Sequence, residues 1–139
     1  MSEAENLFGE AHVRRYRETD GEVGYIWRRG SKILLLTTTG RTSGEQRTTP
    51  LIYEDAGDRL VIVASKGGSP EDPGWYRNLV KDPQVELQVK GDVFPAHART
   101  ATGDEREELW ELAARQWPDY DAYQEKTDRE IPVVVLERD

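Results

Sequence analysis

A small, mainly β barrel of the α+β class, with a few helices on its periphery, is the fold this sequence predicts. Three observations predict it. Six short runs near 32–39, 47–54, 59–66, 84–90, 93–101 and 131–137 are β-branched or alternate apolar with polar residues. Two of the intervals, Asp55-Ala56-Gly57-Asp58 and Gly91-Asp92, read as hairpin turns, so the strands they join run antiparallel. Only a few stretches carry a helical pattern, and six antiparallel strands with a couple of helices suit a closed barrel with appended helices.

Taken in order, the chain opens with a mixed segment. A helix is expected near 3–18, ended by Asp20-Gly21, and residues 22–29 stay open between strand and loop. The first strand is built on Ile33-Leu34-Leu35-Leu36 and the third on Leu60-Val61-Ile62-Val63. A helix starting near Pro73 carries Trp75, Tyr76, Leu79 and Val80 and closes at Asp82-Pro83. The next runs from about Asp104 to Gln116. Thr102 or Asp104 can cap it, acids fill its first turn, and Leu109, Leu112 and Ala113 supply the apolar stripe. Pro118 stops it, and a further helical turn is expected at Tyr120–Glu125. The last strand has Pro132 near its start, a place that tolerates a missing N–H.

Composition bounds the function. The 139 residues suit one domain, and 36% apolar with 33% charged residues describes a polar chain that still has a core. A formal charge of −8 argues against nucleic-acid binding, which needs a net basic face. The absence of cysteine removes disulfides, thiolate metal sites and cysteine nucleophiles, and His12 and His97 alone do not suggest a metal centre. No run approaches the ~20 apolar residues of a membrane span. Met1-Ser2-Glu3-Ala4-Glu5 lacks the features of a signal peptide, so a cytoplasmic location is expected. Leu7, Phe8 and Val13 would share one face of a short helix, which leaves peripheral contact with the inner face of the plasma membrane open.

Two clusters carry the chemistry. Gly40-Arg41-Thr42-Ser43-Gly44-Glu45-Gln46-Arg47-Thr48-Thr49-Pro50-Leu51 follows the first strand, and Ala64-Ser65-Lys66-Gly67-Gly68 follows the third. Glycines permit tight turns and close backbone approach, while cations and free N–H groups at a strand end suit an anionic, phosphate-bearing ligand. Each cluster also reads as an ordinary polar loop. Trp75 and Leu79 are i,i+4 neighbours suited to a core, whereas Asn78 is either a local cap or a polar contact to a ring system. Trp117, Tyr120 and Tyr123 recur at three-residue spacing, a pattern shared by core stripes and by pocket walls. No Ser-His-Asp set, catalytic carboxylate pair or metal cluster can be assembled. If the chain is an enzyme, a cofactor supplies the hard chemistry.

The motifs together resemble the deazaflavin-dependent nitroreductase family. The resemblance rests on Leu35-Leu36-Thr37-Thr38-Thr39-Gly40-Arg41-Thr42-Ser43-Gly44, Arg47-Thr48-Thr49-Pro50-Leu51, Ala64-Ser65-Lys66-Gly67-Gly68, Trp75-Tyr76-Arg77-Asn78-Leu79 and Thr127-Asp128-Arg129-Glu130-Ile131-Pro132-Val133. It implies a split β-barrel that binds coenzyme F420. The chain is expected to divide into an N-terminal helical or flexible segment at 1–30 and the cofactor-binding barrel at 31–139. Arg41, Thr42, Arg47 and Lys66 would then meet the cofactor's phosphate and acidic tail. The deazaflavin ring would lie along Thr49, Pro50, Leu51, Ile52, Ala64 and Ser65, with Trp75 and Asn78 nearby, and Thr48, Gly67 and Gly68 would also contact the cofactor. Ser65, Tyr120 and Tyr123 would act at the acceptor, and the expected reaction moves a hydride to a quinone-like, conjugated carbonyl or nitroaromatic compound. Thr42 stands where relatives often carry lysine. Ile52 and Trp117 stand where the nitro-drug-activating branch has tyrosine, so prodrug activation is not predicted. The alternatives are FMN in the same kind of barrel and a non-catalytic F420-binding protein. Split barrels commonly dimerise, which makes a homodimer an expected partner state.

Overall fold

All six expected strands form, and they close on themselves. The computed structural model describes residues 6–139. Its strands are β1 (Lys32–Thr39), β2 (Gln46–Ala56), β3 (Arg59–Val63), β4 (Gln84–Val89), β5 (Asp92–Thr100) and β6 (Val133–Arg138). The helices are α1 (Gly9–Thr19), α2 (Gly74–Lys81), α3 (Gly103–Gln116) and α4 (Asp119–Glu125). Every pairing is antiparallel, and the order β1-β2-β3-β6-β5-β4 is closed by β1 against β4.

The continuous apolar runs are strands buried on both faces. Leu34 and Leu36 of β1 point into the barrel with Leu87, Phe94, Val134 and Leu136. Ile33 and Leu35, on the other face, pack under Val13 and Tyr16 of α1. The same alternation recurs in β6, where Val133 and Val135 meet Leu109 of α3 while Val134 and Leu136 face inward. At about 25 cal/mol per Å², a helix laid over such a face contributes several kcal/mol, which is why the outward residues need not be polar. Tyr16 fixes α1 further. Its buried hydroxyl donates to the Ile33 carbonyl at 2.9 Å and accepts from the Lys90 N–H at 2.7 Å.

Boundaries moved where local geometry overrode pattern. The N-terminal helix begins at Gly9, whose φ of +53° marks the turn into it, rather than near 3; residues 1–5 lie outside the described residues. It ends as expected at Asp20, a left-handed residue whose N–H returns to the Tyr16 carbonyl. Leu7 and Val13 are buried, so the single exposed face imagined for Leu7, Phe8 and Val13 does not exist; Phe8 alone of the three is exposed. The third strand stops at Val63 because residues 66–68 form a 3-10 turn with Lys66, Gly67 and Gly68 all at positive φ. Residues 22–29 hold one isolated bridge, Ile26 to Lys32, followed by a 3-10 turn at Arg28–Gly30. Among the described residues no helix is long and apolar enough to cross a membrane.

The barrel is split on one side, and the split creates the site. β2 pairs with β1 along its length, from Gln46↔Thr39 to Tyr53↔Lys32, but with β3 only at Glu54↔Val61, Asp55↔Leu60 and Ala56↔Arg59. From Gln46 to Tyr53 the far edge of β2 therefore has no strand beside it, and its outward backbone groups are left for another partner.

Candidate functional site

Where β3 leaves β2 a cavity of about 490 Å³ opens, an ordinary size for a small-molecule site. One wall is the free edge of β2, through Thr49, Pro50, Leu51 and Ile52. The floor is the turn after β3, through Ser65, Lys66 and Gly67, and Pro73 and Trp75 at the head of α2 close one side. Trp117, Tyr120 and Tyr123 close the other, and Phe8, His12, Trp27 and Arg28 form a roof.

The turn at 64–68 is shaped by two devices. Gly68 lies so close to α4 that a Cβ there would fall 2.7 Å from the Tyr123 carbonyl oxygen, at a φ of +85°. Only glycine fits. Arg129, mostly buried, then gathers the turn from behind. Its Nε donates to the Ser69 carbonyl and Nη2 to the Ser65 carbonyl, both at 2.8 Å. Nη1 reaches the Ala64 carbonyl at 3.3 Å and the Asp72 carboxylate at 2.9 Å. A planar fork suits this task, because one rigid group satisfies several carbonyls at once.

A second, open groove of about 520 Å³ is lined by residues 39–44 with Lys81 and Asp82. Asn78 of α2 sets its shape. The buried Asn78 Oδ1 accepts from Arg41 Nη1 at 2.8 Å and from the Arg41 N–H at 3.2 Å, while Nδ2 donates to Thr38 Oγ1 at 3.1 Å. Lys81 Nζ donates to the Arg41 carbonyl at 2.7 Å. Two cations and the glycine turn Gly40–Gly44 thus share one lip. α2 contributes to both hollows, Trp75 to the first and Lys81 to the second.

The structure therefore brings Thr49, Pro50, Leu51, Ile52, Ser65, Lys66, Gly67, Trp75, Tyr120 and Tyr123 to one cavity and Arg41 and Thr42 to the adjoining groove. Ala64, Gly68 and Asn78 lie behind these surfaces, buried. Thr48 lines neither hollow; its hydroxyl meets Thr37 Oγ1 at 2.8 Å and accepts from Arg17 at 3.0 Å. Arg47 also lines neither; it is exposed and 3.7 Å from Glu45.

The roof escaped sequence reasoning. Trp27 stacks on Trp117 with centroids 6.2 Å apart at 11°, and Phe8 meets Trp27 edge-on at 5.6 Å. Arg28 lies 4.7 Å over both Phe8 and Trp27, and Arg29 lies 4.4 Å over Trp117. The aromatic-basic run Trp27-Arg28-Arg29 was the available signal, but nothing local says that it meets residue 117. Nor does the sequence single out His12 for this cavity; it is 2% exposed, and burial pushes its pKa down. Burial drives the Tyr120 hydroxyl the other way, above the usual tyrosine range.

These residues suit a flat, heteroaromatic cofactor with an anionic tail. The cavity walls are aromatic and aliphatic, the free β2 edge and the open face of Gly67 expose backbone polar groups, and the second groove carries two cations, Arg41 and Lys81, beside one carboxylate, Asp82.

Comparison with known proteins agrees. The family model for F420H(2)-dependent quinone reductase matches residues 9–138. An F420H(2)-dependent quinone reductase of Mycobacterium tuberculosis (strain ATCC 25618 / H37Rv) is 41% identical over 130 residues, 91% of this chain and 87% of that protein. A solved F420-H2 dependent reductase, FDR-A, is 45% identical with a TM-score of 0.70, covering 76% of this chain and 93% of its own. A solved structure described as a domain-swapped dimer is 41% identical with a TM-score of 0.73, covering 90% and 96%.

Proposed function

The chain belongs to the F420H(2)-dependent quinone reductase family, and from that premise we propose that it moves a hydride from reduced coenzyme F420 to a quinone-like or conjugated carbonyl acceptor, with activated nitroaromatics as further candidates. It is an F420H2-dependent oxidoreductase, and coenzyme F420 is its cofactor. The observation that carries the finer reading is that α2 lends a residue to each of the two hollows, Trp75 to the first and Lys81 to the second. The cavity is walled by the free β2 edge, and the groove carries Arg41 and Lys81 beside Asp82.

In this reading residues 49–52, Ser65 and Gly67 would hold the ring. Arg41, Thr42, Lys66 and Lys81 would hold the anionic tail, with Arg47 available at the outer end. When bound, the reduced deazaflavin supplies the hydride. The chain supplies the rest. Trp75, Trp117 and Tyr123 flank the acceptor with aromatic surface, the roof of Phe8 and Trp27 keeps water from the reacting atoms, and the Ser65 hydroxyl offers a hydrogen bond. A second groove that carries Arg41 and Lys81 favours a long anionic tail over the single phosphate of FMN, the alternative flavin. Peripheral membrane contact would use the exposed Phe8, and a homodimer is the inferred assembly.

The test is a fluorescence titration with oxidised F420 beside FMN, followed by oxidation of F420H2 with 1,4-naphthoquinone. Saturable F420 binding, weak FMN binding and acceptor-dependent turnover are expected. Tight F420 binding without turnover by quinone, enone or nitroaromatic acceptors would favour a carrier. Light scattering checks the dimer.

A further inference from the structure

We propose that His12 delivers the proton to the oxygen of the reduced acceptor. The inference rests on reading the cavity as the place where an acceptor carbonyl is reduced. Hydride addition to a quinone or enone leaves charge on an oxygen, and that oxygen must gain a proton before the product leaves. Few side chains at this cavity can hand one over, and among the described residues no carboxylate lines it.

His12 is placed for the task. Its ring is almost wholly buried yet borders the cavity. Nε2 donates to the Gly24 carbonyl at 2.8 Å, and because a carbonyl only accepts, Nε2 is the protonated nitrogen of the neutral ring. Nδ1 makes no hydrogen bond among the described residues. With Nε2 committed to the Gly24 carbonyl and the ring bordering the cavity, Nδ1 is the nitrogen left for a bound acceptor. The ring is gripped on both sides. Gly24 sits at φ +108°, and a Cβ there would lie 3.0 Å from His12 Cδ2 and 3.1 Å from Nε2; across the ring, Trp27 is 6.0 Å away centroid to centroid. A histidine kept only to tie α1 to the 20–25 segment would need Nε2 alone.

Among the described residues, the other ionisable groups of the cavity are Arg28 from the 28–30 turn, Lys66 from the turn after β3, and Tyr120 and Tyr123 from α4. Beside His12, Glu10 on its own helix and Glu22 on the following segment are exposed. Of these side chains only histidine ordinarily changes charge between pH 5 and 8. Burial makes the Tyr120 hydroxyl hold its proton more tightly, and makes the His12 imidazolium a readier donor than a free one. In the step, the acceptor has gained two electrons with the hydride and the cofactor has lost them. The Nδ1–H bond of the imidazolium breaks, the new O–H bond forms, and a neutral imidazole remains with its Nε2–H on Gly24. Solvent at the cavity mouth reprotonates Nδ1.

His12→Gln tests this, because the glutamine amide can still donate to the Gly24 carbonyl but cannot titrate. The expected result is a kcat for 1,4-naphthoquinone lower by about 100-fold. F420 affinity and the quinone KM should stay within about twofold, and the fall in kcat as pH rises through the histidine range should disappear. Wild-type-like kcat and pH profile in this variant would overturn the proposal. A second measurement needs neither turnover nor the variant. In 15N NMR of the cofactor-free wild type, 1-naphthol, a redox-inert mimic of a hydroquinone, should move the His12 Nδ1 resonance saturably while Nε2 stays protonated. No Nδ1 response at saturating naphthol would overturn the proposal. A wild type that binds no F420 and reduces no quinone would instead sink the functional reading, whatever the naphthol experiment gives.

Discussion

Gly68 shows how much one missing methyl group decides here. Its φ of +85° is strained for any L side chain, and the Cβ of an alanine would sit 2.7 Å from the Tyr123 carbonyl oxygen, which α4 holds in place. Gly68→Ala is expected to lower stability by about 2–4 kcal/mol, summing left-handed strain and overpacking. Urea denaturation reads this directly, and a change below about 0.5 kcal/mol would mean that α4 yields easily. Arg129 shapes the same turn from the other side. Arg129→Lys keeps the charge but abandons the fork that serves Ala64, Ser65 and Ser69. The buried carbonyls then lose donors, and the expected loss is about 2–3 kcal/mol, together with weaker F420 binding as Ser65 and Lys66 drift. A variant that lost stability but kept F420 affinity would show that the turn's shape does not set the site. The sequence displayed the glycines plainly. It could not display Arg129's role, because that role consists of contacts made about sixty residues away.

At the scale of elements, one carboxylate ties α3 to two strands of the barrel, and one of its arginines extends the network to a third. Glu105 receives Arg99 of β5 at 2.6 Å and Arg59 of β3 at 2.7 Å, and Arg99 also reaches Glu137 of β6 at 2.9 Å. Hydrogen bonds from Arg99 first, then those from Arg59, hold the Glu105 carboxyl down at about 2. A depressed carboxylate stabilises the fold above its ordinary range near 4.5, and that contribution is lost as pH falls from there toward 2. Glu105→Gln should therefore cost about 1–2 kcal/mol at neutral pH, a modest figure because the group is 28% exposed to screening water. The dependence of Tm on pH below 4.5 should flatten; an unchanged acid slope would assign the acid sensitivity to other carboxylates. His12 acts in the same direction at a higher range. Its lowered pKa means that folding favours the neutral ring, so stability is full above about 6.5 and declines as pH falls below it. Strands and helices of this kind were legible because a face covered by a helix leaves an unbroken apolar run. Residues 22–30 were not, since their fold depends on Ile26 meeting Lys32 and on Trp27 meeting Trp117.

For the molecule as a whole, the charge balance sets a test of how the cofactor arrives. The barrel and the two cation-glycine clusters could be read from the chain because each is a local pattern. The split between β2 and β3, and the division of the cations between a cavity and a groove, are products of closure that no local pattern encodes. Closure leaves Arg41 and Lys81 on one lip of a protein whose formal charge is −8. At low salt the far field repels a polyanionic tail, while the lip acts only at contact. The Debye length shrinks from about 30 Å at 0.01 M to about 8 Å at 0.15 M salt, so the net charge is screened first. The association rate of F420, followed by stopped-flow fluorescence, is thus expected to rise several-fold over that range. Arg41→Ala should leave that rise intact and weaken binding by about 1.5–3 kcal/mol through faster dissociation, since the lost contact is charge-assisted. Thr38 still holds Asn78 in that variant, so the groove keeps its shape. Arg47→Ala, removing an exposed side chain already beside Glu45, should weaken binding less. An association rate that fell with salt would mean that the basic lip steers the cofactor from a distance, and the net charge of the barrel would then be irrelevant to its capture.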